Sequence, residues 1–421
     1  MKHEQSWIAL AEILGPRSPF LKPLVTKFGT PDAVFAASEQ AIRAVIPDIG
    51  QGTLAALLRK SSDEEAARIT LWCHRNGVRI LTLDSTDYPA RLREIDEPPA
   101  VLYCKGAFPT FDGRLAVGVV GTRKADAYGE QVTYKLSFEL AAAGAVIVSG
   151  MAAGLDAIAA AAAINAGSET IAVLGCGIDL VYPKIHTRLA TEITAHGAII
   201  TEYAPGTKPH GWNFPMRNRI ISALSSAVLV TEAGENSGSL ITARYAVVQG
   251  KELFAVPGDI TSLRSKGTNR LLCDGAIPAL EAGEMLERFR FLYRDRIRLQ
   301  ALPEAMQYST LTPEALRRYG LQVTPAEPQE TPEKPKREKR FRRKKSETVA
   351  ENTTISEKTA PDTSSLTPRQ RELFDLLPEG SFSVDVLASR GVPVAEAMST
   401  LTVFEIYGFI LSRPGGVYQK K

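Results

Sequence analysis

The stretch VGVVGTRKADAYGE, residues Val117–Glu130, decides the fold class of this 421-residue chain. An apolar run ends at a glycine and is followed by a helix-like segment, which is how a dinucleotide-binding turn begins. The dinucleotide fingerprint would continue as G-x-G-x-x-G, but here Gly121 is followed by Thr122 and Arg123. The stretch therefore predicts a strand, a turn and a helix, with a cation where a pyrophosphate turn has glycine.

Similar apolar runs recur between residues 98 and 290. Besides LAVGVVGT, they are AVIVSG, TIAVLG, AIITEY, AVLVTE and LFAVPG. Continuous apolar runs, without two-residue alternation, are typical of strands buried on both faces of a parallel sheet. The helical segments between them would form right-handed crossovers. Residues 98–290 are therefore predicted to form an α/β domain with a Rossmann-like, doubly wound parallel sheet.

The segment before this sheet, residues 1–97, has a helical pattern. In IPDIGQGTLAALLRK, Gly50 and Gly52 stand between two apolar helices. This arrangement fits either a helix-hairpin-helix turn, whose backbone N–H groups can hold a DNA phosphate, or a simple glycine turn. We expect an N-terminal helical domain of SAM or helix-hairpin-helix type.

Three further segments follow the predicted sheet. Residues 291–321 are expected to be a helical extension. Residues 322–365 are rich in proline and charge and are predicted to be a disordered basic linker, either a solvated spacer or a nonspecific phosphate contact. Residues 366–421 have the helix and strand order of a winged-helix domain. Its third helix contains Glu396 and Glu405 but no Lys or Arg, which favours a protein contact over duplex reading.

The composition narrows the class of protein. A formal charge of +3, 44% hydrophobic and 23% charged residues are ordinary for a globular chain. No apolar run approaches the ~20 residues that span a bilayer, and the first residues lack the pattern of a signal peptide. The four cysteines and five histidines show no metal-ligand spacing. We expect a cytoplasmic protein with reduced thiols, no metal, no cofactor and no membrane contact.

The predicted loops at the carboxyl ends of the strands contain the chemistry. Glycines and small hydroxyl residues at helix starts favour a bound anion, and ligands of doubly wound sheets meet these loops. The same loops contain four separated cations, which suit a nucleic-acid backbone better than a single pyrophosphate. They are Arg123, Lys184, Arg217 and Arg219.

Each of these residues also has an alternative interpretation. Arg123 or Lys184 could be an ordinary surface charge, and Arg219 could pair with Glu202 or Glu232 and brace the loops. Aromatic residues between the cations could stack on unpaired bases or belong to the core. They are Tyr182, Trp212 and Phe214.

Several segments together resemble the DNA-processing protein A (DprA/Smf) family. They match in order across about 100–280 and are VVGTRKADAYG, VSGMAAGLDAIAAAAA, LGCGIDLVYPKIHTRL, TEYAPGTKPHGWNFPMRNRIISALS, VLVTEAGENSGSLITARYAVVQGKELFAVPGDI and SKGTNRLLCDGA. The resemblance implies a non-catalytic protein that binds single-stranded DNA, loads a RecA-type recombinase during natural transformation and often forms homodimers. The family's histidine in the second motif is replaced here by Ala160.

The residues and the resemblance together predict a DNA-binding site. Its expected members are Gly121, Thr122, Arg123, Ser149, Gly150, Lys184, Phe214, Arg217, Asn218, Arg219, Ser237 and Gly238. Arg123 and Lys184 would contact phosphates, the glycines and serines would supply donors, and residues 217–219 would shape the pocket. Asp156, Glu202 and Glu232 are expected to brace the loops.

Two enzymatic alternatives are open. A nucleotide-cleaving protein resembling the lysine-decarboxylase-like phosphoribohydrolases would use a P-G-G-x-G-T loop, which the sequence lacks, although Glu202 and Glu232 could act as paired carboxylates. Dinucleotide-dependent redox chemistry is disfavoured, because the third glycine and a ribose-binding acid are missing.

Overall fold

The structure is a computed structural model that describes residues 2–60, 62–109, 113–294 and 296–324. In the C-terminal region it describes 368–378, 380–383, 385–388, 390, 392, 400–401, 404–405, 409–413 and 417–420. The chain divides into two compact units, Met1–Thr331 and Pro332–Lys421, which are treated separately. Nearly all of the predicted basic linker, from residue 325 onward, lies outside the described residues.

The first unit begins with six helices. They are α1 (Lys2–Leu14), α2 (Leu21–Phe28), α3 (Pro31–Ala36), α4 (Glu39–Val45), α5 (Gln51–Arg59) and α6 (Asp63–Arg75). The sequence Thr30-Pro31 fixes where α3 begins. The Thr30 side chain accepts a hydrogen bond from the Ala33 N–H, and Pro31 occupies the first turn. The core of this helical region includes Trp7, Leu24 and Leu54, which are fully or almost fully buried.

A nine-stranded sheet follows. Its strands are β1 (Arg79–Thr82), β2 (Val101–Gly106), β3 (Ala116–Val120), β4 (Val146–Ser149), β5 (Thr170–Val173), β6 (Gly197–Thr201), β7 (Ala227–Val230), β8 (Glu252–Ala255) and β9 (Ile277–Pro278). Their spatial order is β1-β2-β6-β5-β4-β3-β7-β8-β9. Strands β3 to β9 are parallel, so the predicted doubly wound Rossmann-like sheet is confirmed.

The sheet also contains two antiparallel strands that the sequence analysis did not identify. Strand β2 pairs with β6, and β1 pairs with β2. Because β1 starts at Arg79, the sheet begins before residue 97, where the end of the helical domain was predicted. The antiparallel extension joins the N-terminal helices to the sheet within one compact unit.

Helices cover both faces of the sheet. They are α7 (Ala90–Arg93), α8 (Ala127–Ala142), α9 (Leu155–Asn165), α10 (Thr187–His196), α11 (Asn213–Leu224), α12 (Ser239–Val248), α13 (Lys266–Cys273), α14 (Ala282–Glu287), α15 (Leu302–Tyr308) and α16 (Pro313–Arg317), with short 3-10 turns at Lys184–His186 and Leu299–Ala301. Val120 and Val148 pack with residues of α11 and α12, whereas Val119 and Ile147 pack with residues of α8 and α9. This alternation along each strand explains why the runs are apolar throughout.

The second unit contains α17 (Pro368–Asp375), β10 (Ser381–Ser383), α18 (Asp385–Ala388), β11 (Ile410–Arg413) and β12 (Val417–Lys420). The strands form an antiparallel sheet in the order β10-β12-β11. Phe374, Phe404 and Phe409 pack together in its core. Most of the third predicted helix lies outside the described residues. Across the described parts of both units, the helices are too short or too polar to cross a bilayer.

Candidate nucleic-acid interface

The strand order places one crevice at the carboxyl edge of the sheet. From β3 the chain winds outward through β4, β5 and β6, and then returns to place β7 on the other side of β3. Loops that leave adjacent strands in opposite directions open a crevice at such a switch point. A groove lies there between residues 121–124, the first turns of α11 and the beginning of α12. We refer to this space as the groove.

The turn after β3 is packed so closely that only glycine fits at two positions. A Cβ atom on Gly121 would lie 2.5 Å from Leu155 Cδ1. Gly154 has a φ of +83°, and a Cβ atom there would lie 2.5 Å from the Thr122 carbonyl oxygen. The Leu155 N–H donates to the same carbonyl oxygen at 3.3 Å. The loop after β4 therefore packs against the protein-facing side of the turn, while Arg123 in the turn is exposed to solvent.

Arg123 faces an aromatic surface. Its guanidinium carbon lies 5.5 Å from the centre of the Phe214 ring, and the Phe214 and Tyr182 rings are 5.4 Å apart. Lys184 is exposed two residues after Tyr182, and its 3-10 turn is anchored by the hydrogen bond between His186 Nδ1 and the Met151 carbonyl oxygen at 3.0 Å. Both exposed cations follow carboxyl ends of strands. Arg123 lines the groove with Phe214, whereas Lys184 follows Tyr182 in the chain and is not among the described residues that line the groove.

Arg217 lies behind this surface. It is 3% exposed, and its guanidinium donates to the carbonyl oxygens of Gly150, at 3.0 Å, and Val173. Burial lowers the pKa of Arg217 to about 10, and the nearby Asp156 carboxylate opposes that shift. Burial raises the pKa of Asp156, which the Arg217 charge and two backbone N–H donors counteract. Arg217 and Asp156 therefore brace the loop after β4 from inside the protein.

Arg219 is also buried, and it forms a bidentate ion pair with Glu202. The two Arg219 to Glu202 contacts measure 2.6 and 2.7 Å, and the side chains are 2% and 3% exposed. Burial opposes the Arg219 charge, but the Glu202 carboxylate outweighs it and raises the pKa of Arg219. The alternative interpretation, in which Arg219 pairs with Glu202 and braces the loops, is the one that the structure shows, and the expected place of Arg219 in the DNA-binding surface is not. The pair joins the loop after β6 to α11.

The remaining predicted residues differ in their access to the groove. Ser149 is fully buried and donates to the Val119 carbonyl oxygen at 2.7 Å, while the Gly150 N–H donates to Asp156 at 3.1 Å. Both therefore support the loop from within. At the beginning of α12, the Ser237 hydroxyl is 2.8 Å from the Ser239 hydroxyl, and the Asn218 amide donates to the Gly238 carbonyl oxygen at 3.4 Å. Ser237, Gly238 and Asn218 line the groove.

Ser239, whose hydroxyl the sequence offers as an anion donor together with Ser237 and Gly238, also lines the groove. Sequence reasoning missed two polar residues there: Lys124, exposed beside Arg123, and Thr242, one turn after Ser239 in α12. The spacing of the serine and the threonine in SGSLIT is the signal that could have identified Thr242, because residues three apart share one helix face. Ala160, at the position of the family's histidine, is 2% exposed within α9.

Glu232 holds both ends of the turn that contains Arg123. Its backbone carbonyl oxygen accepts the Thr122 N–H at 2.9 Å, and its carboxylate accepts the Asp126 N–H at 3.3 Å. The second carboxylate oxygen is buried and has no hydrogen-bond partner among the residues that the structure describes. Burial, followed by the negative charge of Asp126, raises the pKa of Glu232 to about 7. Glu232 is thus a brace whose charge changes close to neutral pH.

The arrangement suits a ligand with several phosphates and unpaired rings. Exposed cations attract phosphates, and the adjacent aromatic faces can stack on bases. The buried cations and carboxylates hold the loops in position. A single small anion would not need cations that are spread along an aromatic strip.

Comparisons with known proteins agree with this geometry. A family model described as "DNA recombination-mediator protein A" matches residues 79–290, and one described as "DprA winged helix domain" matches residues 357–416. The first match begins where β1 begins, at the antiparallel extension of the sheet.

Individual relatives are similar over most of their own length. The chain is 41% identical over 220 residues to the DNA processing protein DprA of Bacillus subtilis, covering 52% of this chain and 74% of that protein. It is 36% identical over 283 residues to the protein Smf of a Synechocystis strain, covering 66% and 71%. The crystal structure of DNA processing protein A from Streptococcus pneumoniae matches with a TM-score of 0.59 and 29% identity, covering 67% of this chain and 97% of that chain.

Proposed function

The chain belongs to the DNA recombination-mediator protein A family, and from this premise we propose that its groove binds single-stranded DNA. One observation carries the proposal: the guanidinium of exposed Arg123 lies over the Phe214 ring, which contacts Tyr182, two residues before exposed Lys184. Cations bind the phosphate backbone of any nucleic acid, whereas aromatic faces can stack only on bases that are unpaired. The combination favours a single strand over a duplex.

The residues of the predicted site divide into two roles. Arg123 and Lys184 contact phosphates, and Phe214 offers a stacking surface. Ser237, Gly238 and Asn218 form the opposite wall of the groove. Behind this surface, the buried members hold the loops in place, namely Ser149, Gly150, Arg217 and Arg219.

The proposal also covers the protein partners, the cellular process and the oligomeric state. The resemblance in sequence supports loading of a RecA-type recombinase onto the bound strand during natural transformation, in the cytoplasm. A homodimer is supported by an exposed apolar side chain at this edge of the sheet, since Leu280, just after β9, is 62% exposed. Exposed apolar surface can be covered by contact with a second chain. Light scattering of the purified protein would measure this association.

A catalytic role for the paired carboxylates is disfavoured. A nucleotide-cleaving enzyme would need both Glu202 and Glu232 to be available, but Glu202 is buried in its ion pair with Arg219. We propose a non-catalytic protein. Incubation of the protein with nucleoside monophosphates should release no free base, and release of base would favour the enzyme.

The central test is a salt titration of DNA binding. We expect tighter binding to single-stranded than to double-stranded oligonucleotides, measured by fluorescence anisotropy. The double variant Arg123→Ala/Lys184→Ala should bind the single strand about 10- to 100-fold more weakly. Its plot of log affinity against log salt should be shallower by about 1.4, since each single-strand phosphate contact contributes roughly 0.7 to the slope.

A matched control removes two other exposed positive charges. Arg68 and Arg317 are both 77% exposed and pair with Glu65 and Glu314 in their own helices. Arg68→Ala/Arg317→Ala should retain the affinity and the salt slope of the unchanged protein. Equal losses in both double variants would mean that only net charge matters, and would overturn the assignment of the groove.

A further inference from the structure

We propose that a cavity beside the groove receives a nucleobase of the bound strand. We call it the side cavity; it lies between residues 11–21 of the helical region, residues 98–101 and the loop that contains His210 and Trp212. This inference rests on the proposed function of the groove. It gives the N-terminal helices a direct part in DNA binding, as one wall of a base-binding site.

The size of the side cavity suits one heterocyclic ring system. Its volume is about 260 Å³, which lies below the range of roughly 300–1,000 Å³ found for pockets that bind drug-sized molecules. The walls include the side chains of Leu14 and Leu21 on one side, and of Tyr203 and Trp212 on the other. The lining mixes apolar side chains with polar ones, which include Thr207 and Asn213, as a nucleobase with an apolar face and polar edges would require.

The charges of the walls favour an uncharged group over a phosphate. The walls contain the Glu12 and Glu202 carboxylates and the Arg17 guanidinium. Arg219 neutralises Glu202, and Glu97 pairs with Arg17. The wall cations are therefore already paired, and Glu12 would repel an anion. A phosphate would bind at the exposed cations of the groove, while a neutral base would enter the side cavity.

A rigid aromatic pair forms the rim of the side cavity. The His210 and Trp212 rings stack 4.5 Å apart and are parallel within 3°, and Trp212 is 56% exposed. Asn213, 4% exposed, fixes this turn: its amide donates to the Gly175 carbonyl oxygen at 3.0 Å, and its N–H donates to the His210 carbonyl oxygen at 3.0 Å. An indole face that is both fixed and exposed costs little entropy to stack on a base.

The side cavity and the groove are separated by one short segment. Phe214 and Gly211 line the groove, whereas Trp212 and Asn213, between them in the chain, line the side cavity. A DNA strand whose phosphates are held at Arg123 therefore passes next to the segment 211–214. Rotation of one nucleotide about its backbone would place its base over the Trp212 ring.

The first experiment compares Trp212→Ala with the unchanged full-length protein on two ligands of equal length. One is a thymidine oligonucleotide, and the other has the same backbone with abasic sites throughout. The variant should bind the oligonucleotide about tenfold more weakly, as expected when one stacked base is lost. Its affinity for the abasic strand should be unchanged.

The second experiment fills the side cavity from the helical wall. Ala11→Phe places a ring in the cavity from α1, at a residue that lines the side cavity and is not among those that line the groove. It should weaken thymidine oligonucleotide binding about as much as Trp212→Ala and leave abasic binding unchanged, with an unaltered thermal unfolding midpoint. Fluorescence reports the contact directly, because Trp7 is fully buried, Trp72 is half-buried and Trp212 is exposed. The strand should quench Trp212 emission in the unchanged protein and fail to do so in Ala11→Phe.

The outcomes separate the two proposals. If Arg123→Ala/Lys184→Ala binds both ligands normally, the groove itself is wrong. If that variant loses both ligands while Trp212→Ala and Ala11→Phe bind the oligonucleotide normally, the groove stands and the base site is overturned. If free thymidine monophosphate quenched Trp212 fluorescence as strongly as the oligonucleotide does, the side cavity would bind free nucleotides, and the proposal that it receives a base of the bound DNA strand would be overturned.

Discussion

The two pairs of basic residues at the carboxyl edge of the sheet have opposite environments. Arg123 and Lys184 lie on loops and are exposed, whereas Arg217 and Arg219 lie on α11 and are 3% and 2% exposed. The buried pair is satisfied within the protein, by carbonyl oxygens and by Glu202. Removing water from a cation is costly, so a buried arginine requires such partners. The same residue type therefore binds the ligand in one place and holds the scaffold in the other.

This comparison separates two kinds of mutational effect. Loss of an exposed cation should change affinity and its salt dependence with little change in stability. Loss of a buried cation should leave a partner carboxylate or carbonyl unpaired and destabilise the fold. Three substitutions test this comparison, and the expected effect on stability decreases from the first to the third.

The largest effect is expected for Arg219→Ala. It leaves the Glu202 carboxylate buried without its partner, and breaking one side of a buried ion pair costs about 3–5 kcal/mol. Urea denaturation should show this loss in the free energy of unfolding. Arg123→Ala is the control, expected within about 0.5 kcal/mol of the unchanged protein. Equal stability of the two variants would break the comparison.

A smaller effect is expected for Gly154→Ala, which removes no charge. The new Cβ atom would meet the Thr122 carbonyl oxygen at a residue with positive φ, and we expect about 2–3 kcal/mol of destabilisation. Affinity for single-stranded DNA should also fall, because the turn that positions Arg123 must move. Gly167→Ala is a matched control outside the groove, since that residue has a φ of +71° but a Cβ atom there meets nothing within 4 Å. Its affinity for single-stranded DNA should not change. Unchanged affinity in Gly154→Ala would show that Arg123 does not depend on this packing.

The smallest effect depends on pH and concerns Glu232. Its pKa is raised from 4.5 to about 7 in the folded protein, so the folded state holds the proton more tightly than the unfolded state. Stability from this group is therefore greatest at acidic pH and is lost as pH rises from about 4.5 through 7. Glu232→Gln should be more stable than the unchanged protein at pH 8, by on the order of 1–2 kcal/mol once solvent screening is discounted, with the difference disappearing near pH 4.

The control for this pH dependence is Glu235→Gln, which alters an exposed carboxylate three residues further along. Its stability difference from the unchanged protein should not vary between pH 5 and pH 8. A pH-independent difference for Glu232→Gln would show that the carboxyl group titrates at its ordinary pKa.

The central strands were predictable from sequence because each one is buried on both faces. The runs ending at Gly121, Gly150 and Glu232 needed only local composition and length to be recognised. Strands β1 and β2 could not be found in this way. The exposed start of β1 and the exposed end of β2 weaken the apolar pattern. Their place in the sheet depends on antiparallel pairing of β1 with β2 and of β2 with distant β6.

The site was partly predictable for a similar reason. The loops at the strand ends identify the edge where a ligand binds, and the pairing of Arg219 with Glu202 was among the alternatives. The burial of Arg217 was not visible, because its counter-charge Asp156 and its acceptors Gly150 and Val173 come from distant parts of the chain. The side cavity was also hidden, since two segments almost 200 residues apart in the chain form its walls.

The packing of Gly150 against Arg217 constrains how these two positions can change during evolution. A Cβ atom on residue 150 would lie 2.6 Å from Asp156 Oδ2 and would collide with the Arg217 guanidinium. A lineage can therefore acquire a larger residue at position 150 only after it has shortened the side chain at position 217. Homologues should show the glycine and the arginine kept or lost together, as inherited partners.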